Sequence, residues 1–347
     1  MMTSKSFCKR LSSLIFIGLC IIAGYNICND GTGILNRYIS GYIQEPTLHF
    51  VKVRYIINNP SKYNAFAFGT SRVGNIDLTK CNEDGIKFYN MYYSEGLPKE
   101  WLDDIKIMLK HGVHIKKLLI AMDDVSFRVD PEIHKTQLMR LPYEDNIFSQ
   151  FHLYVSLLFD KFRDWEYYKA DESTGSIYDI YDTGRIFHDY PDCLIEQDVV
   201  KHINDKKFNI PTHYEGNRIA VTLEQIREIK EICDKNNIEV IFFIHPIHKT
   251  TYLDTNFEEF NTFKKGLAEI VDYIDFSNFN DITTNNYYYY ETSHYRPLVG
   301  DMIIKKIFND DGTLPENFGI KVTNENIDNH IAFLKKNRNE YILNISR

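Results

Sequence analysis

Two short stretches of this chain carry residue types that can do chemistry together. The first is Gly69-Thr70-Ser71-Arg72, directly behind the apolar run Ala65 to Phe68. The second is YYYYETSHYRPLVGD, residues 287–301, in which Glu291 and His294 stand three positions apart ahead of Pro297. A serine on a tight turn exposes its hydroxyl, but it is a poor nucleophile until an imidazole takes its proton. The imidazole in turn needs a carboxylate to fix its tautomer and to stabilise the imidazolium. Glu-x-x-His spacing lets both side chains share one turn. Ser71, His294 and Glu291 therefore make a candidate nucleophile, base and orienting acid for acyl transfer. The four tyrosines would lower the local dielectric and shape an acyl or sugar pocket, or simply serve an aromatic-rich core.

Other polar residues near these stretches have more than one reading. Arg72 either binds an anionic group and polarises a carbonyl, or salt-bridges nearby acids. Asp275 is a second candidate orienting acid, or a loop cap. HPIH (245–248) and HGVH (111–114) lack a third ligand at useful spacing, so neither a metal nor any other cofactor is expected.

The elements that must position these groups follow from hydropathy patterning. AFAF (65–68), a run around Ile86 to Met91, KKLLIAMD, EVIFFI (239–244) and VDYIDFS read as five strands. Between them, PKEWLDDIKIMLKHGV places Trp101, Ile105, Met108 and Leu109 on one helical face, with Pro98 in the first turn and Gly112 as the stop. TLEQIREIKEICDK, with Thr222 and Gln225 at capping-box spacing, FEEFNTFKKGLAEI and PLVGDMIIKKIFND are further helices. Strands that are solid apolar runs, separated by helices, predict an α/β fold: a flavodoxin-like three-layer sandwich with a five-stranded parallel sheet. Ligands of such sheets sit beyond the carboxyl ends of the strands, which is where Ser71, Asn90, Asp123 and His245 fall. Residues 125–212 interrupt the alternation and read as an insertion, with one or two helices near 147–165 and a long loop.

The 347 residues bear a net charge of −8, with 44% hydrophobic and 25% charged residues. That length allows a main domain of roughly 250 residues plus an anchor or insertion. With no basic block beyond the first ten residues, nucleic acid is not an expected partner. Lys5, Lys9 and Arg10 precede the uncharged LSSLIFIGLCIIAGYNIC, residues 11–28. At ~1.5 Å per residue this stretch spans a ~30 Å hydrocarbon layer. The preceding cations orient the N-terminus toward the cytoplasm and the rest outside. A cleaved signal peptide competes with this transmembrane anchor, though no clean small-x-small site follows the apolar run. Six scattered cysteines indicate neither a disulfide framework nor a zinc site.

The order of the parts, a serine behind the first strand and a carboxylate-x-x-His before the last helix, resembles the SGNH/GDSL hydrolase superfamily. The nearest likeness is to its membrane-anchored bacterial branch, which has a Gly-x-Ser-Arg first block and a last block like Asp-x-Ser-His-Tyr-x-Pro-x-x-Gly. Here the last block reads ETSHYRPLVG, preceded by DFSNFNDITTN. The resemblance spans about Ala65 to Phe308, with the insertion unmatched. It implies catalytic Ser71, His294 and Glu291. It further implies an ester hydrolase or O-acyltransferase acting on cell-surface polysaccharide at the bacterial cytoplasmic membrane. A polysaccharide or acyl donor, and a multi-pass membrane acyltransferase, would be its partners. The chain departs from the family in two places. Glu291 stands where aspartate is usual, and the Gly-x-Asn-Asp block is missing, with AMDDVSF after the third strand. The backbone N–H groups of Ser71 and Gly96 and the side chain of Asn90 are then the substitute oxyanion donors, and Arg72 a substrate contact. These departures support the alternative of a non-catalytic accessory that binds glycan or scaffolds a surface-polymer assembly complex. The expected organisation is a tail and anchor at 1–28, a juxtamembrane linker at 29–62, the α/β domain at 63–310 and a C-terminal extension at 311–347.

Overall fold

Strand β1, Ala65–Phe68, is buried along its whole length between two partners. It pairs in parallel with β2 (Phe88–Asn90) on one side and β3 (Lys117–Met122) on the other. Both faces of such a strand must be apolar, which accounts for the run AFAF. The computed structural model describes residues 4–30, 32–35, 45–135, 137, 140–159, 177–309, 312–315 and 317–346. Two short strands of the insertion, β4 (Ile177–Tyr178) and β5 (Ile186–Phe187), form a separate antiparallel ribbon. The main sheet continues from β3 through β6 (Glu239–Ile244) and β7 (Tyr273–Asp275), both parallel, to β8 (Ile320–Val322), which runs antiparallel to β7.

The five expected strands are therefore all present, but the sheet is mixed and has six strands, in the order β2-β1-β3-β6-β7-β8. The purely parallel expectation is corrected by β8. Its three residues, Ile320-Lys321-Val322, carry a polar centre and lie in the segment expected to be a C-terminal extension. The helix Ile327–Ile345 that follows buries Ile327, Ile331 and Leu334.

α1 (Ser4–Cys28) is long and apolar enough to cross a membrane. α2 (Glu45–Asn58), in the region expected to be a linker, is part of the core, with Leu48, Phe50, Val51, Val53 and Ile56 at most 1% exposed. Lys52 is equally buried. Its ammonium donates to the carbonyls of Asn90 (3.0 Å), Tyr92 (2.8 Å) and Gly184 (2.7 Å), which uses all three of its protons.

Chain order reverses at β1, whose successors in the sequence lie on opposite sides of it. A crevice opens beyond the carboxyl ends of β1 and β3 at such a switch point. α3 (Pro98–Lys110) buries Trp101, Leu102, Ile105 and Met108 and ends, as expected, before Gly112, whose φ is +77°. The helix Ile219–Lys235 begins earlier than the capping-box spacing predicts. Thr222 lies inside it and donates its hydroxyl to the Ser126 carbonyl at 3.1 Å, and the helix start is fixed by the Arg218 N–H, which donates to the Phe127 carbonyl at 2.7 Å. Within the insertion a helix covers Ile147–Phe159; the part of the predicted helical region from 160 to 165 lies outside the described residues.

Candidate active site

Immediately after β1 the chain turns into a short 3-10 helix, Ser71–Asn75, so the Ser71 side chain emerges at the carboxyl edge of the sheet. The stretch Tyr289 to Tyr295 folds back on itself. Tyr289 and Tyr295 form an antiparallel bridge, and Tyr290 N–H donates to the His294 carbonyl at 2.9 Å. Glu291 and His294 thus occupy one tight loop. Arg72 and Asn75 tie this loop to the Ser71 turn: Arg72 Nε donates to Ser293 O at 2.7 Å, Arg72 Nη2 to Ser293 Oγ at 3.3 Å, and Asn75 Nδ2 to Tyr295 O at 2.9 Å. Gly300, in the closing helix Pro297–Phe308, lets that helix rest on the same turn. A Cβ there would stand 2.6 Å from the Asn75 carbonyl oxygen.

The result is that Ser71 Oγ lies 2.7 Å from His294 Nε2 across 223 positions of sequence. His294 Nδ1 bonds to Glu291 Oε1. With Nδ1 donating its proton to the carboxylate, Nε2 presents a lone pair to the serine hydroxyl. The Glu291 carboxylate also accepts the N–H of Ser293 at 2.5 Å and of His294 at 2.9 Å. Burial alone would raise this carboxyl, but His294, the Ser293 N–H and the charge of Arg72 outweigh it and hold Glu291 below the usual glutamate value. It stays ionised, as an orienting group must.

Arg72 is buried at 1% exposure and pairs with Asp123, which also accepts from Thr70 Oγ1 at 2.8 Å. Burial works against the guanidinium's charge, yet Asp123 and Asp124 keep it charged and above its ordinary value. Of the two readings of Arg72, its bonds are those of a salt bridge that also ties the two site loops. At the end of the third strand the charge of Asp123 is thus matched by Arg72. Sequence reasoning does not single out Asp123 as the partner. The one signal for it is that both residues follow adjacent strands, β1 and β3, at the switch point.

The substitute oxyanion donors fare differently. Asn90 is fully buried. Its amide donates to the Val73 carbonyl at 2.8 Å and the Ile76 carbonyl at 3.4 Å, and its oxygen accepts from Tyr92 N–H at 3.1 Å. It braces the Ser71 turn from behind. The Gly96 N–H donates to the Tyr93 carbonyl at 3.2 Å. Gly96 itself sits against the turn: a Cβ there would meet the Gly69 carbonyl oxygen at 2.5 Å and Trp101 Nε1 at 2.9 Å. Among the described residues neither Ser71 N–H nor Arg72 N–H donates to a carbonyl, as expected at the first positions of a helix.

The carboxylate on His294 Nδ1 is that of Glu291, and Asp275 is engaged by other groups. It is bound by Lys264 (2.9 Å), His330 (2.8 Å) and Ser277 (2.6 Å) in the interior. His245 is fully buried, with Nδ1 3.1 Å from the Tyr295 hydroxyl, and burial pushes its imidazole down to about 3. His248 Nε2 meets Asn286 Oδ1 at 3.0 Å. Within the tyrosine run, Tyr289 is a core residue, whereas Tyr287 lies beneath the Arg296 guanidinium and donates to Glu196 at 2.9 Å.

The insertion returns to the site. Thr212 Oγ1 lies 3.3 Å from Thr292 Oγ1, and Arg296 is held by Asp192 at 2.6 Å and Glu196 at 2.7 Å. A cavity of about 480 Å³ adjoins this wall, lined by Asp124, Arg128, His213, Tyr214, Asn217 and Asp254 among others. Among the described residues, Asp124 Oδ1 is buried there without a hydrogen-bond partner.

No protein-family model matches this chain, and no curated protein matches it either.

Proposed function

We propose that this protein is a serine-dependent acyl-transfer enzyme, an ester hydrolase or O-acyltransferase of SGNH/GDSL type with a flavodoxin-like sheet, held at a membrane by α1 with its α/β domain outside. The observation that carries this reading is the continuous hydrogen-bonded relay from Ser71 Oγ through His294 to Glu291, with the first link at 2.7 Å. Ser71 Oγ attacks an ester carbonyl while its proton passes to His294 Nε2. The tetrahedral adduct collapses, its leaving oxygen takes that proton, and an acyl-serine remains. Water or a sugar hydroxyl then gives its proton to His294, attacks the acyl-serine and restores the Ser71 hydroxyl. Proton transfer of this kind contributes typically ~10²–10⁴ in rate. The free N–H groups of Ser71 and Arg72 would receive the oxyanion. A cell-surface polysaccharide acceptor is supported by the adjoining cavity, whose carboxylates, amides and Tyr214 suit a hydroxylated ligand. A membrane-bound acyl donor partner is part of the same reading.

One observation favours the alternative of a non-catalytic accessory: the Asn90 amide and the Gly96 N–H are both engaged elsewhere. A fluorophosphonate probe separates the two. The enzyme reading expects labelling of the purified full chain at Ser71 that disappears in Ser71→Ala. A wild-type chain that resists the probe, or a variant that labels equally, would leave the accessory role.

A further inference from the structure

The helix Ile147–Phe159 has no charged residue of the Asp, Glu, Lys or Arg type, yet it exposes Ile147 (79%), Phe148 (81%) and Phe151 (68%) on one face. Large apolar side chains grouped in this way on a surface mark a contact with something apolar. The helix is pinned in place. Ahead of it Asp145 binds His111 Nε2 at 2.8 Å and Lys110 at 2.5 Å. Gln150 donates to the Tyr143 hydroxyl at 2.9 Å, and Arg54 of α2 donates to the Tyr154 hydroxyl at 3.1 Å.

Its neighbour says what the contact is. α1 packs against this helix. The Asn26 side chain, 2% exposed and near the outer end of the apolar span, donates to the Leu158 carbonyl at 2.8 Å. On α1, Leu14, Phe16 and Ile21 are each more than 60% exposed, the pattern of a lipid-facing helix. The insertion helix therefore meets α1 at its Leu158 end. A bilayer that accepts α1 up to Asn26 meets the Ile147–Phe159 helix at its outer boundary. Beside Phe148 opens a cavity of about 460 Å³ whose lining includes Phe50, Leu141, Pro142 and Leu153, a mostly apolar groove suited to an acyl chain.

We propose that the Ile147–Phe159 helix is a second membrane contact, lying in the outer interface of the bilayer with Phe148 and Phe151 among phospholipid acyl chains. This rests on the reading of α1 as a membrane anchor. The insertion then has two roles. One part of it holds the lipid surface, while its later part, through Thr212, Asp192 and Glu196, forms a wall of the Ser71 site.

The test places single tryptophans in the full chain, Phe148→Trp on the insertion helix and Phe16→Trp on α1, both at exposed positions that tolerate the larger ring. Each is reconstituted in phosphatidylcholine vesicles with and without acyl-chain bromination, and the parent chain's emission from Trp101 and Trp165 is subtracted. The expected result is that brominated lipid removes the added emission at 148 as it does at 16. Quenching at 16 with none at 148 overturns the proposal and leaves the anchor standing. No quenching at either position overturns both. Blue-shifted emission at 148 that brominated lipid leaves untouched means that protein, such as a second copy of this chain, covers the helix, and it too overturns the proposal.

Discussion

The guanidinium of Arg72 and the backbone carbonyl of Ser293 meet at 2.7 Å, and this bond joins the loop that carries the histidine to the turn that carries the serine. Arg72 follows Ser71 directly, and Ser293 precedes His294 directly. Locking Arg72 to Ser293 places Ser71 Oγ and His294 Nε2 within a hydrogen bond of each other. Asp123 in turn holds the guanidinium from the end of β3.

Replacing Arg72 by Met should therefore cost stability and reactivity together. It leaves the Asp123 carboxylate buried without its countercharge, a loss of about 3–5 kcal/mol. Denaturant titration should show the lower midpoint, and fluorophosphonate labelling of Ser71 should slow in the fraction that remains folded. A variant as stable as the parent would mean that Asp123 is not held by Arg72.

Glu291→Gln should keep the loop but spoil the chemistry. The Ser293 and His294 N–H groups bind different carboxylate oxygens, at 2.5 and 2.9 Å, so the glutamine oxygen can still accept from one of them. It no longer fixes the imidazole tautomer or stabilises the imidazolium, a loss on the order of 10⁴-fold in comparable triads. The labelling rate at Ser71 should fall steeply, while the thermal midpoint falls only by the loss of one loop hydrogen bond, about 1 kcal/mol. Glu291→Asp, one methylene shorter, should fall between the two.

Stability should decline in acid through Asp275. Burial alone would raise its carboxyl, but Lys264 at 2.9 Å and His330 at 2.8 Å hold it well below the usual carboxylate range. A depressed folded value means the contribution is complete above the unfolded aspartate value of about 3.9 and is lost as pH falls below it, because the unfolded chain takes up the proton first. Asp275→Asn should be less stable at neutral pH by about 3–5 kcal/mol, since Lys264 is left unpaired. It should also show a flatter loss between about pH 4 and pH 2, where the missing carboxylate's linkage acts. Equal acid slopes in parent and variant would exclude this role.

Gly96→Ala tests the backing of the serine turn. Its Cβ would stand 2.5 Å from the Gly69 carbonyl oxygen, so the backbone has to shift. Overpacking of this kind typically costs about 1–3 kcal/mol. Slower labelling at Ser71 with a modest loss of stability is the expected pair of results.

Features of this fold differ in how far the residues alone reveal them. After their first residues, Lys117 and Glu239, β3 and β6 are solid apolar runs because strands covered on both faces have no polar side to show. Residues 11–28 of α1 are uncharged on every side, and Glu291 and His294 lie within one turn of chain. Each of these properties belongs to a short stretch, so composition and spacing reveal it. β8 is not legible in this way: three residues with a lysine at the centre become a strand only because β7 offers an unpaired edge. Nor is the burial of α2, which depends on the sheet it covers.

The sequence by itself determined the local chemistry: an exposed serine behind an apolar strand, a carboxylate and an imidazole at turn spacing, and a span fit for a membrane. Tertiary structure decided everything that joins distant residues. It engaged Asn90 and Gly96 in bracing the turn, set Arg72 against Asp123, and brought Ser71 to His294 across 223 positions. The physical reason is that a hydrogen bond or ion pair is specified by distance and direction in space. For residues far apart in the chain, those follow from the packing of the whole sheet and its helices rather than from any local pattern.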